Sequence, residues 1–229
     1  MCPRIVRTGL NEQIYRHLRD RIVGGELPAG TRIGIEALCR DYSVSPTPVK
    51  DALRLLAGEG LVELRPRSGT FVRQPTPQDL IEVFGLRQVI ELYAAEAIIR
   101  NATVQQVEKL RRLLDRGRRA AHRENLSGAW REFVLVDEEF HDVLISAAGN
   151  RHLLDLYRRL KAHNLVTLIQ FPDTPARMRR AGSDHEAILD AASRRDVRSY
   201  RTAMKAHLEN AQANLLRHVH NPVQARAAV

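Results

Sequence analysis

The sequence predicts a mainly α chain in two parts: a small mixed N-terminal unit closed by two short strands, and a C-terminal antiparallel all-α bundle of about six helices. Three observations predict it. Apolar residues recur at helical spacing through most of the chain, β-prone runs are confined to residues 61–72, and a polar run with two prolines, Arg73 to Gln78 (RQPTPQ), stands between the parts. The expected division is residues 8–74, a linker at 75–78, a helical domain at 79–218 and a flexible tail at 219–229.

In the N-terminal part, Leu10, Ile14, Leu18 and Ile22 form one stripe that stops at Gly24-Gly25. Leu27-Pro28-Ala29-Gly30 is turn chemistry, and Ile35 and Leu38 start a short helix that runs to about Tyr42. Ser45 is a candidate N-cap for a third helix, with Pro46 at the first position, an inner face of Val49, Ala52, Leu53 and Leu56, and a stop at Gly58 and Gly60. Leu61–Leu64 and Gly69–Val72 then flank the basic turn Arg65-Pro66-Arg67-Ser68. Helix, short helix, tight turn, helix and hairpin is the order of a winged helix-turn-helix. The six helices expected after residue 76 cover roughly 78–100, 103–123, 127–148, 151–170, 175–194 and 196–218.

Composition bounds the function less sharply. The 229 residues carry 36 basic and 27 acidic side chains, a net charge of +9 that suits a polyanionic partner. All but four of the 36 basic residues are arginine, the exceptions being Lys50, Lys109, Lys161 and Lys205. They are spread along the whole chain, as codon bias alone would spread them, so charge does not locate a surface. No run of 18 apolar residues is present, the opening MCPRIVRTGL lacks a secretory stretch, and Cys2 and Cys39 make neither a disulfide framework nor a metal pair. A cytoplasmic, nucleoid-associated protein without membrane association is the expectation.

In a helix-turn-helix the second helix lies in the major groove. Its outward residues here are Ser45, Thr47, Lys50, Asp51 and Arg54, and its N-terminus offers amides to a phosphate. Arg65 and Arg67 at the hairpin tip would reach flanking phosphate or the minor groove, and Arg32 and Gly69 complete the candidate DNA-binding set. In the helical part, Asp137 and His141 stand one turn apart on one face, a spacing that suits either a surface pair or a shared metal. His185 and His207 lie on later helices that could face them, and imidazole with carboxylate suits zinc, nickel or manganese. His163 is a further histidine that could face the bundle interior. Arg87 lies among Val83, Phe84 and Ile90, and pairs with Glu91 or receives a ligand carboxylate.

The runs GELPAGTRI and YSVSPTPVKDALRLLAGEGLVELRPRSGTFV resemble the N-terminal domain of the GntR family of bacterial transcription regulators over roughly residues 10–74. Family members commonly carry an arginine where this chain has Pro46, and another where it has Lys50. Neither residue reproduces a bidentate guanidinium contact to guanine, so the family's usual operator is not implied. The segments VDEEFHDVL, DHEAILDA and MKAHLENA resemble the FCD ligand-binding domain of the FadR subfamily, and six helices place it nearer the VanR-like branch. The resemblance implies Asp137, His141, His185 and His207 as the four ligands of one divalent metal ion per chain, zinc first and nickel or manganese as alternatives. It further implies a carboxylate effector at Arg87, a homodimer, operator DNA as partner, and repression by a protein that is not an enzyme. Two alternatives are a regulator for which the ion itself is the signal and, from another class, a metal-dependent hydrolase, for which no serine or cysteine nucleophile constellation is present.

Overall fold

The structure is a computed structural model that describes residues 9–170 and 174–220. The expected break at 171–173, the end of the chain from 221 onward and Cys2 fall outside the described residues, as do the side chains of His163, His218 and His220. The chain divides into two compact units, Met1–Gln74 and Pro75–Val229.

In the first unit, α1 (Leu10–Val23) buries Ile14, Leu18, Ile22 and Val23. Leu10 begins the helix on its outer side and stays exposed, so the apolar stripe starts one turn later than its spacing implied. After the turn, β1 (Arg32–Ile33) leads into α2 (Ile35–Tyr42), α3 (Pro46–Gly58), β2 (Val62–Arg65) and β3 (Gly69–Val72). The face of α3 formed by Val49, Ala52, Leu53 and Leu56 is fully buried and packs on α1, the one-sided burial that its i, i+3, i+4, i+7 spacing requires. The sheet has the order β1-β3-β2, both pairs antiparallel, with Val62 opposite Val72, Arg65 opposite Gly69 and Ile33 opposite Thr70. β1 was not expected from the sequence: two residues are too few to show alternation, and pairing with β3 alone makes them a strand. The hairpin turns through Arg67 at φ 61° and Gly69 at φ 118°, and only glycine adopts the second without strain.

The second unit holds α4 (Pro77–Asn101), α5 (Val104–Ala120), α6 (Leu126–Ala147), α7 (Arg151–Gln170), α8 (Pro175–Ser193) and α9 (Val197–His220). The expected linker is shorter than residues 75–78, and the last helix passes the expected domain end at 218. The reason for the first difference is chemical: Asp79 N donates to Thr76 Oγ1 at 3.1 Å, while Thr76 N donates to Asp79 Oδ2 at 2.8 Å. With Pro77 at the first position, this capping box starts the helix inside the proline-bearing run.

Packing between neighbours makes a closed ring in the order α4, α9, α8, α5, α6, α7 and back to α4. Its core includes Phe84, Phe140, Tyr200, Leu144 and Leu208, all inaccessible or nearly so. Arg195, in the link between α8 and α9, closes the ring from outside: its Nη2 donates to Ala102 O at 2.9 Å and its Nη1 to Ile99 O, capping carbonyls at the end of α4. Among the described residues, no helix is long and apolar enough to cross a membrane.

Candidate metal centre and DNA-reading surface

Asp137 and His141 face inward from α6 because Val136, Phe140 and Leu144 fix that side of the helix in the core. His185 enters from α8 beside Ile188 and Leu189, and His207 from α9 between Met204 and Leu208. The ring of His185 stacks on Phe140 with centroids 4.4 Å apart. All four polar residues are buried, and one ligand atom from each falls within 4.8 Å of the others. His141 Nε2 lies 3.1 Å and His185 Nε2 3.3 Å from His207 Nε2, while Asp137 Oδ1 is 3.2 Å from His185 Nε2 and 4.0 Å from His141 Nε2.

Imidazole nitrogens about 2.0–2.1 Å from a zinc ion at the corners of a tetrahedron stand roughly 3.3 Å apart. Three of the four separations match that figure, and the wider one suits a sphere with room for further ligands. The donor set therefore fits a divalent ion. Three imidazoles and a carboxylate buried together are otherwise costly unless they pair with one another or bind an ion.

Protonation favours the same chemistry. Burial and the neighbouring His185 push the His207 imidazole down to about 4 from its ordinary 6.5. Burial also pushes His141 down. For Asp137, burial works against the charged form, but the hydrogen bond from His185 and the three nearby imidazoles outweigh it, and the carboxyl lies well below the usual range. Near pH 7 His141 and His207 are therefore neutral imidazoles and Asp137 a carboxylate, the forms that ligate metals.

A second layer orients these groups. His141 Nδ1 lies 2.6 Å from Glu91 Oε2, and Arg87 Nε donates to Glu91 Oε1 at 2.9 Å. Glu91 is inaccessible to solvent, Arg87 nearly so. A carboxylate there holds the proton of His141 on Nδ1 and leaves Nε2 free to bind. The Glu91 carboxyl is held down at about 2: burial would raise it, but His141 and Arg87 more than offset that. Asp184 Oδ2 sits 3.8 Å from His207 Nδ1 and accepts from Asn210 at 3.2 Å. The spacing of Arg87 and Glu91 predicted their intrahelical pair; that Glu91 also orients a histidine 50 residues away was not visible in it. Of the two acids after Asp137, Glu138 is buried, whereas Glu139 points outward to Lys109 at 2.8 Å.

Arg87, Asp137 and His207 line one cavity with Phe84, Trp130 and Arg177. The cavity opens to solvent. Arg87 Nη2 is inaccessible and has no hydrogen-bond partner among the described residues. Burial opposes its charge, but Tyr157, Glu91, Asp137 and Glu138 outweigh that, so it stays a guanidinium.

In the first unit, Ser45, Thr47, Lys50 and Arg54 are exposed on α3, Arg65 and Arg67 on the hairpin, and Arg32 on β1. Arg54 is held by Asp51 at 2.9 Å, and Arg65 by Glu63 at 2.9 Å while stacking 4.6 Å from the Phe71 ring centroid. Arg32 reaches across to Gly69, where a Cβ would meet its Nε at 3.1 Å. Ser45 occupies the N-cap position, yet its hydroxyl makes no capping bond. Pro48 explains this, since the third helical position has no N–H to donate; with Pro46 also lacking one, the amide cradle expected for a phosphate is reduced to Ser45 and Thr47.

The chain matches the family model "Bacterial regulatory proteins, gntR family" over residues 10–72 and the FCD domain over residues 82–210. It is 32% identical over 206 residues to an HTH-type transcriptional regulator in an unstable DNA locus of Streptomyces ambofaciens, covering 85% of this chain and 80% of that one. It is 30% identical over 203 residues to the HTH-type transcriptional repressor RspR of Escherichia coli strain K12, covering 87% and 86%. The fold of E. coli McbR/YncC matches with a TM-score of 0.78 at 20% identity, covering 93% of this chain and 99% of that one. These families are of transcription regulators rather than enzymes, and their two domains follow one another here in the order that the helices and the wing had indicated. The chain belongs to the GntR family of DNA-binding transcription regulators, with an FCD domain as its helical half.

Proposed function

We propose that this regulator is a homodimeric repressor whose affinity for operator DNA is set by a small organic acid bound beside a divalent metal ion. The observation that carries the ligand half is the buried Nη2 of Arg87, without a hydrogen-bond partner among the described residues, in a cavity shared with Asp137 and His207. A carboxylate there would satisfy the guanidinium through a charge-assisted bond. Asp137, His141, His185 and His207 would hold one ion per chain; three imidazoles and a carboxylate suit zinc, with nickel or manganese as alternatives. The ion would supply a fixed positive charge for the acid's second oxygen. Repression follows the name of the RspR relative.

On DNA, Thr47, Lys50 and Arg54 would meet bases and phosphates from α3, and Arg65 and Arg67 would reach the flanking groove from the wing. Arg32 lies against Gly69 at the turn of that wing, and Ser45 adds a hydroxyl and an amide at the helix tip. A dimer reads two half-sites about 34–36 Å apart, so a ligand that prefers one spacing of the winged units changes operator affinity.

The test combines a thermal-shift screen of small carboxylic acids on metal-loaded protein with operator binding. One acid should raise the melting temperature and alter DNA affinity, and Arg87→Met should abolish both responses while leaving metal content unchanged. Metal alone producing the full change in DNA affinity would make the ion the signal. Absence of any specific genomic site would overturn the regulatory scheme.

A further inference from the structure

Helix α4 carries an outward stripe that no described residue covers: Leu86 is 53%, Val89 67% and Tyr93 73% exposed. Ile81, at 46%, stands on the same helix, so α4 holds four of the exposed large apolar side chains, more than any other element among the described residues. Isolated exposed leucines are ordinary, but a stripe of them along one helix marks an interaction face. The flanks of the stripe are charged with opposite sign. Glu82 lies seven residues before Val89 and Arg100 seven residues after Tyr93, two helical turns in each direction, and both are exposed.

That symmetry identifies the occupant. We propose that a second copy of this chain packs on α4 through its own α4, antiparallel about a two-fold axis level with the midpoint between Val89 and Tyr93. The axis sets Val89 of one copy opposite Tyr93 of the other, and Glu82 opposite Arg100, each contact occurring twice, as an isologous interface requires. Leu86 then lies over the stem of Glu96, whose carboxylate turns away to Arg201 on α9 at 3.1 Å. Gly85 comes opposite Ala97, and a Cβ at Gly85 would meet nothing within 4 Å, so the backbones can approach at that level. A slip of one turn in one direction sets Glu82 against Glu96, and in the other sets Leu86 against Arg100. Charge therefore selects the register as well as the partner.

This interface rests on the homodimer proposed above, and one experiment separates the two. The dimer dissociation constant of full-length protein is measured by sedimentation for the wild type, Glu82→Arg, Arg100→Glu, and an equimolar mixture of the two variants. In each variant alone, like charges face one another twice, and the constant rises by about tenfold or more. In the mixture every pair is again opposite in sign, so a heterodimer re-forms with near wild-type affinity. Tyr93→Arg weakens all combinations, and unchanged metal content and helical circular dichroism verify folding. A stable wild-type dimer indifferent to all these changes overturns the α4 interface and leaves the homodimer standing. A wild-type monomer at micromolar concentration overturns both.

Discussion

Glu91→Gln tests the buried relay with almost no change of shape. The carboxylate accepts from two donors, His141 Nδ1 at 2.6 Å and Arg87 Nε at 2.9 Å, and is itself inaccessible. Glutamine offers one oxygen and one NH2 group, so one of the two donors must face another donor. The loss of one charge-assisted bond costs about 1.5–3 kcal/mol. Arg87 also loses its nearest counter-charge while 3% exposed; removing one partner of a buried pair costs about 3–5 kcal/mol. Asp137 and Glu138 still act on Arg87, which keeps the total toward the lower end, about 3 kcal/mol. If the amide turns toward His141, the imidazole loses the partner that fixes its proton, and metal affinity falls about 10–100-fold. Urea unfolding followed through Trp130, the single tryptophan and a residue of α6, reads the stability of the helical unit; calorimetric titration of zinc reads the affinity. Adding Arg87→Met removes the stranded charge and should recover most of the stability without recovering the affinity. A loss below about 1 kcal/mol together with unchanged zinc binding would refute the relay.

Three further outcomes follow from the same geometry. Metal-free protein should lose stability as pH falls from 6.5 toward 4, because the unfolded His207 takes up a proton there that the folded one, held near 4, refuses; the loss is on the order of 3 kcal/mol. Glu91, held near 2 in the fold, adds to it below its ordinary value of 4.5, and urea midpoints at a series of pH values measure both; a flat profile would contradict the burial of these groups. Leu56→Ala at the inaccessible face of α3 should destabilise the N-terminal unit by about 2–5 kcal/mol and abolish operator binding at growth temperature, as separate melting of that unit would show. Lys50→Ala and Arg67→Ala should each lower the salt dependence of DNA binding by about one counterion, and a slope equal to the wild type's at either position removes that residue from the phosphate contacts.

Much of the fold was legible because its signals are local. Val49, Ala52, Leu53 and Leu56 announce the buried face of α3 by spacing alone, and the bundle helices fall within a few residues of where apolar periodicity puts them. Asp137 and His141 stand one turn apart, a spacing that suited a surface pair as well as a shared metal, and it was the resemblance to the FCD domain that singled them out with His185 and His207. What escaped depends on partners distant in sequence. β1 exists through its pairing with β3, and Glu91 serves a histidine on another helix. Two misses were local, and both involve proline. Thr76 and Asp79 form a capping box inside a run whose prolines suggested a linker, and Pro48 silently removes the donor that Ser45 would otherwise bind.

The amide-poor tip of α3 has a consequence for how this regulator could change its target. A helix that grips a phosphate with its backbone keeps that anchor whatever its side chains become. Here Pro46 and Pro48 stiffen the entry to the helix and withhold half of that anchor, so on the proposed contacts orientation on the duplex would fall to replaceable groups: the Thr47 hydroxyl, the Lys50 amine and the Arg54 guanidinium. Few substitutions on a rigid stem would then suffice to redirect such a protein to a new operator, with Val49, Leu53 and Leu56 holding the stem in place throughout.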